Sequence, residues 1–314
     1  MLVLGIESAT PVASAALADE KGLLGEVLLN VGLTHAEQLL PLIDALFKQC
    51  RKTIRDVTAI GVSAGPGSFT GLRIGMATAK ALAQGRTPTH TTPEGGGVQL
   101  FAIPTLEAMA WQMMGQQVFV SPMLNARREQ IYAGLYRWGP GLPLAAGQAA
   151  DRGSRGYAQV AGNSLIGEAS ADDRGKAVFD EGSGAYEALR EVFISRQRGK
   201  KDRLIAGVGD GGWTLDTVIQ AEAADPLHWA EKLRTQGQTI YLVGDGAAMY
   251  KEIWQQVLGS SAQILPPMCG LCRGSFIALA TIDKLGKCGT VGDSRENSDR
   301  PNDYSMKPIY LRGI

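Results

Sequence analysis

Residues 59–85, AIGVSAGPGSFTGLRIGMATAKALAQG, constrain this chain more than any other stretch. Residues 59–63 run largely apolar, as a strand buried in a sheet would. Gly65-Pro66-Gly67 then predicts a tight turn, since glycine reaches positive φ without a steric penalty. From Ser68, a candidate N-cap, Leu72, Met76, Ala79 and Leu82 recur at helical spacing. Gly67, Gly71, Gly75, Ala79 and Ala83 stand four apart, which sets them on one helix face. Interior glycine costs a helix roughly 1 kcal/mol relative to alanine, so a ridge this bare predicts close approach by another backbone. Two readings are open: a helix of another molecule, or the sheet of this same chain.

The flanking sequence builds a layered α/β unit. Residues 2–7, 13–18 and 23–30 read as strands, with the turn Asp19-Glu20-Lys21-Gly22 between the last two. Thr34 and Glu37 form a capping box opening a helix through about Gln49, with Leu39, Leu42, Ile43, Leu46 and Cys50 as its apolar stripe. Pro41 inside it predicts a kink. Residues 86–101 are rich in Pro, Thr and Gly and read as an inserted loop before a short helix over 105–114. A second lobe starts with strands at 118–125 and 130–138, joined at Ala126-Arg127-Arg128-Glu129. Residues 139–202 read as irregular insertions with a weak helix near 186–194. A strand at 239–243 ends in Gly244-Asp245-Gly246 before a helix over 247–258, and a strand at 263–265 precedes a helix over 273–285. The expected domains are therefore 1–116 and 117–314.

GPGSFTGLRIG followed by AKALAQG resembles the signature of the TsaB/YeaZ family and its paralogue TsaD, bacterial proteins of the tRNA threonylcarbamoyladenosine pathway. NARREQIYAGLY is similar to that family's second-lobe start. The closing PNDYSMKPIYLR is similar to its Pro-x-Tyr-Leu-Arg ending, here Pro308, Tyr310, Leu311 and Arg312. The resemblance implies an α/β, two-lobed actin-like (ASKHA, ribonuclease H-like) fold, each lobe running β-β-β-α-β-α. That order matches the elements of the first half.

Which paralogue the chain follows decides whether it is an enzyme. TsaD-like enzymes carry a His-x-x-x-His pair after the alanine-lysine helix and an aspartate near the C-terminus. The corresponding residues 103–111, IPTLEAMAW, hold no histidine, and His35, His90 and His228 stand at no ligand spacing. The resemblance thus implies the TsaB role, a non-catalytic partner docking on a TsaD-like carbamoyltransferase. The assembly would include a TsaE-like ATPase, with tRNA reached through the complex. Carried onto this chain, the interface falls on the two first-lobe helices, at His35, Leu39, Leu42, Ile43, Leu46, Gly67, Gly71, Leu72 and Gly75. In isolation the same surface predicts a homodimer. The rival readings are an ATP-dependent phosphotransferase of the same superfamily and a glycoprotease-like peptidase; no Ser/His/Asp or metalloprotease motif favours the latter.

Two glycine turns precede helices, Gly65-Pro66-Gly67-Ser68 and Gly244-Asp245-Gly246. A helix N-terminus offers unpaired N–H groups and a positive dipole end, which suits phosphate. Neither turn is a P-loop, because no Lys-Ser/Thr closes it. In the actin-like superfamily two such turns hold ATP, and an acid on the first strand helps hold magnesium; Glu7 takes that place here. The other reading is that glycine only permits each turn. ATP or ADP is left open as a ligand, and no metal site is expected.

Composition narrows the partners. The formal net charge is zero, which removes any global attraction to nucleic acid. Local basic runs stand at Arg127-Arg128 and at Arg196, Arg198, Lys200, Lys201 and Arg203, as phosphate contacts or as solvated side chains. No apolar run reaches the roughly 18 residues of a membrane span, and MLVLGIES lacks the features of a leader. Cys50, Cys269, Cys272 and Cys288 are too few for a disulfide scaffold. Cys269 and Cys272 form a CxxC without the further ligands zinc needs and without a thioredoxin-like context, so inert buried thiols are expected. The expected compartment is the cytoplasm.

Overall fold

Strand β1 (Leu2–Glu7) is buried along its whole length, as a middle strand covered on both faces must be. A computed structural model of the chain describes residues 1–30, 35–85, 98–140, 170–171, 177–178, 212–288 and 307–311. In it β1 lies at the centre of a five-stranded sheet with β2 (Ala13–Asp19), β3 (Gly22–Leu29), β4 (Ala59–Gly65) and β5 (Gln99–Pro104), in the order β3-β2-β1-β4-β5. β1, β2 and β3 form an antiparallel meander, while β4 and β5 join parallel, with Val3 opposite Ala59 and Ile6 opposite Val62.

Side-chain alternation gives this sheet two apolar faces. Leu2, Leu4 and Ile6 meet α1 (His35–Cys50), whose stripe Leu39, Leu42, Ile43, Leu46 and Phe47 completes one core with Met76 and Ala79 of α2 (Phe69–Gln84). Ser68 caps α2, its hydroxyl accepting from Gly71 N at 3.2 Å. Thr34 of the expected capping box lies outside the described residues. The expected loop over 86–101 is corrected at its end: Gln99, Leu100 and Phe101 belong to β5, paired with Ala59, Ile60 and Gly61. The rest of that stretch, with His90, lies outside the described residues.

After α3 (Thr105–Ala110) a second sheet repeats the order of the first. β6 (Val118–Arg127), β7 (Gln130–Pro140) and β10 (Trp213–Ala224) are antiparallel, and β11 (Ile240–Val243) and β12 (Ala262–Ile264) join parallel, as β10-β7-β6-β11-β12. Between β7 and β10 the described residues form β8 (Ser170–Ala171) and β9 (Ala177–Val178), an antiparallel pair. That pair falls in a separate unit, Leu144–Arg203, whereas both large sheets lie in the unit Met1–Pro143 plus Leu204–Ile314. The weak helix near 186–194 and the basic run ending at Arg203 lie outside the described residues.

Helix α4 (Pro226–Arg234) starts on an Asp225 cap and buries Trp229 and Leu233. The single helix expected over 247–258 is two, α5 (Asp245–Met249) and α6 (Lys251–Leu258), because Tyr250 between them leaves the helical region at φ −108°.

The last helix among the described residues, α7 (Gly274–Cys288), belongs by sequence to the expected second domain, 117–314. It packs on the first sheet, across the face opposite α1 and α2. A Cβ at Gly5 would collide with Gly274 O, and one at Gly61 with the Thr281 hydroxyl. Glu26 of β3, 6% exposed, ties down the start of the helix. Its Oε1 accepts from Ser275 N at 3.0 Å and Ser275 Oγ at 2.9 Å, and Oε2 meets the Arg273 guanidinium at 2.6 Å. The helix dipole favours a carboxylate there.

Candidate functional site

The glycine ridge of α2 closes on this chain's own β1–β2 turn. A Cβ at Gly67 would meet the Ala9 carbonyl, one at Gly71 the Ser8 carbonyl, and one at Gly75 the Ser8 hydroxyl. Ser8 is tied three ways: its N–H donates to Ser63 Oγ at 3.2 Å, its hydroxyl donates to Gly71 O at 3.0 Å, and its carbonyl fills the space Gly71 leaves. Ala9 O accepts from Ser68 N at 2.6 Å. Of the two readings of the ridge, the structure chooses the chain's own backbone.

Glu7 anchors the same turn from below and is fully buried. Its Oε1 accepts from Ala9 N at 2.8 Å, Thr10 N at 2.9 Å and Thr10 Oγ1 at 3.1 Å. The Cys272 thiol donates to Oε2 at 3.2 Å. Burial pushes the Glu7 carboxyl above the usual carboxylate range, against the pull of hydrogen bonds from Cys272, Thr10 and Ser63. Burial first, and the neighbouring Glu7 second, push the Cys272 thiol upward as well. The Ala9 and Thr10 amides of the β1–β2 turn are thus held by the chain's own carboxylate, both of whose oxygens have donors, while in the first glycine turn Gly65 N donates to Thr105 Oγ1 at 3.1 Å and Ser68 N to Ala9 O.

The second glycine turn is equally committed. Gly244 has φ 103°, and a Cβ there would collide with the Met123 carbonyl. Asp245 Oδ1 accepts from Asn125 N at 3.0 Å and Gly246 N at 2.9 Å. Gly270 lies against the Gly244 backbone, and two residues on Cys272 reaches Glu7. The segment leading into α7 therefore runs from the second glycine turn to the end of β1. Of the nucleotide candidates, Glu7, Gly65, Gly67, Ser68, Gly244, Asp245 and Gly246, the structure links the two sets through this chain segment. Among the described residues no three His, Cys, Asp or Glu groups converge as metal ligands do.

Of the interface candidates, Leu39, Leu42, Ile43, Leu46 and Leu72 are at most 3% exposed in this chain, the first four packing in one core with the sheet. His35 turns inward too, its Nε2–H donating to Thr10 O at 2.8 Å. The residues the two helices present outward include Glu37, Leu40, Pro41 and Asp44 of α1 and Arg73 and Ala77 of α2. Leu40 is 54% exposed. At the start of α2, Phe69 stacks on Tyr310 at 5.2 Å between ring centroids, with the Arg73 guanidinium 3.8 Å over Phe69. Ile309 N donates to Ala64 O at 2.6 Å, so the C-terminal segment lies along the first glycine turn.

Cysteine burial is mixed: Cys272 is buried, Cys50 intermediate and Cys269 exposed, which corrects the expectation for Cys269. His228 is exposed beside a recess that it lines with Gln130, Glu222, Asp225 and Lys232. Arg128 and Glu129 form the two-residue tip of the β6–β7 hairpin, with Arg127 opposite Gln130. All three have positive φ, at 65° for Arg127, 49° for Arg128 and 61° for Glu129. Such backbone costs a non-glycine residue on the order of 1–3 kcal/mol, and Asn-Gly is the usual solution.

Two sheets of one strand order, each a three-stranded meander extended by two parallel strands, define a two-lobed actin-like protein. Solved structures bear out the fold over the whole length. An uncharacterized protein with similarity to peptidase YeaZ from Pseudomonas aeruginosa superposes at TM-score 0.58, 16% identity and 99% coverage of both chains. YeaZ from the same organism gives 0.56, 15% and 99%. A family model described as TsaD, tRNA N6-adenosine threonylcarbamoyltransferase, matches residues 30–175. TsaB of Bacillus subtilis is 30% identical over 142 residues, 45% of this chain and 58% of that protein. TsaB of Escherichia coli is 29% identical over 143 residues, 44% and 55%. The chain therefore spans a little over half the length of these relatives. Over the part they match, it is similar to the TsaB/YeaZ family.

Proposed function

We propose that the chain is a non-catalytic partner protein in tRNA threonylcarbamoyladenosine formation, acting in the cytoplasm by docking on a TsaD-like carbamoyltransferase. The observation that carries this is the similarity of nearly half the chain to TsaB of Bacillus subtilis. The committed state of Glu7 and of both glycine turns supports a role without nucleotide chemistry of its own. The docking face is the outward side of α1 and α2, centred on Leu40, and a TsaE-like ATPase joins the same assembly. In isolation that face pairs with itself, giving a homodimer that competes with the heterodimer.

The tagged chain, expressed with the TsaD-like protein of its own organism, is expected to co-purify with it. Leu40→Asp should keep its melting temperature yet weaken association by about tenfold or more, since burying a leucine is worth about 1.5–3 kcal/mol. Depletion of the chain should remove threonylcarbamoyladenosine from tRNA, read by nucleoside mass spectrometry. Modification of tRNA by the chain alone, or unchanged levels on depletion, would refute the proposal.

A further inference from the structure

At the β6–β7 tip, residue type and backbone conformation disagree. Arg127, Arg128 and Glu129 are exposed and hold positive φ, a conformation that Asn and Gly reach readily and Arg and Glu do not. Among the described residues the Arg127 and Arg128 guanidiniums make no ion pair. The tip is nonetheless anchored. Asn125 Oδ1 accepts from Arg127 N at 2.8 Å, and Asn125 N donates to Asp245 at 3.0 Å. Backbone strain is thus held at two arginines whose side chains make no ion pair among the described residues.

We propose that Arg127 and Arg128 contact phosphates of a tRNA backbone, an inference that rests on the proposed role in tRNA modification. A guanidinium offers a planar fork of N–H donors matched to phosphate, and it stays charged throughout the accessible pH range. With zero net charge on the chain the contact is local, one phosphate for each arginine. Two carboxylates stand near the pair. Asp245 is engaged by the Asn125 and Gly246 amides, and Glu129 on the tip itself opposes the phosphate.

The test measures binding of bulk tRNA to the complex of this chain with its TsaD-like partner, between about 50 and 200 mM salt. Each lost phosphate contact makes the slope of log K against log salt shallower by about 0.7–0.9. Arg127→Asn with Arg128→Asn should therefore flatten it by about 1.5 and weaken binding about tenfold at the low-salt end. The double variant should melt at or above the wild-type temperature. Arg127→Lys with Arg128→Lys should retain the slope, and Glu129→Gln should tighten binding.

A double asparagine variant with the wild-type slope overturns the inference, and so does one that melts lower. Loss of the protein partner rather than of tRNA would assign the pair to an acidic protein surface and overturn it as well. A wild-type complex that forms but binds no tRNA defeats this inference alone. A wild-type chain that forms no complex defeats the proposed function, and this inference with it.

Discussion

Gly71→Ala tests whether the α2 ridge is sealed by its own chain. In a solvated helix the change stabilises, by roughly 1 kcal/mol, because alanine loses less backbone freedom. At Gly71 the new Cβ would collide with the Ser8 carbonyl and lie 3.3 Å from the His35 ring. Ser8 cannot swing aside, since its amide is bonded to Ser63 and its hydroxyl to Gly71 O. Overpacking against such a neighbour costs about 1–3 kcal/mol, and a fixed backbone obstacle belongs at the upper end. The net effect is a loss of about 1–2 kcal/mol, a fall in melting temperature of about 3–6 °C for a chain of this size. Gly286→Ala is the matched control. It lies in α7 with no neighbour within 4 Å of its added Cβ among the described residues and should raise the melting temperature by about 2–3 °C. Thermal and urea unfolding of both variants give the answer. A Gly71→Ala protein that melts with or above the wild type would refute the sealed-ridge account.

Three further outcomes follow from the buried polar groups. Burial raises the Glu7 carboxyl above its ordinary 4.5, so the folded state binds the proton more tightly than the unfolded state. Its contribution is complete below that ordinary value and is lost as pH rises through the folded value. The stability of wild type relative to Glu7→Gln should therefore fall from pH 4.5 toward neutrality, and a pH-independent difference would contradict the raised value. Glu26→Ala strips the acceptor from Ser275 N and Oγ and should cost about 2–3 kcal/mol in urea unfolding; a loss below half of one would mean α7 is held elsewhere. Iodoacetamide should label exposed Cys269 in the native protein and reach Cys272 only after denaturation, as peptide mass spectrometry would read out.

How far the sequence could be read depended on the range of each interaction. β1, β2, β4, α2 and its Ser68 cap were legible because alternation, spacing and capping act over a few residues. β10 is not legible in the sequence, because its pairing with β7 slips between Thr217 and Ile219 and again before Glu222, which erases the period of two. α4 is signalled in the sequence only by its Asp225-Pro226 start. The ridge announces a close approach without naming what approaches, and the α1 stripe does not say whether sheet or partner covers it; Leu39, Leu42, Ile43 and Leu46 pack in one core with the sheet. Glu7 was found by position, but its partner Cys272 is 265 residues away. Glu26 as the stay of α7 acts across 249 residues, and no local pattern reports such a pair.

The return of α7 to the first sheet also sets an order of events at the ribosome. β1 to β5 are complete in the nascent chain by residue 104, while the helix that covers their second face begins at 274. At about 5–20 residues per second that cover arrives roughly 10–30 s later. Until then Val3, Gly5, Ala59 and Gly61 line a naked β surface, a ready substrate for a chaperone or for a neighbouring nascent chain. A polypeptide terminated before α7 keeps that vulnerability permanently, so the first lobe matures only after residue 274 and the helix that follows it have been made.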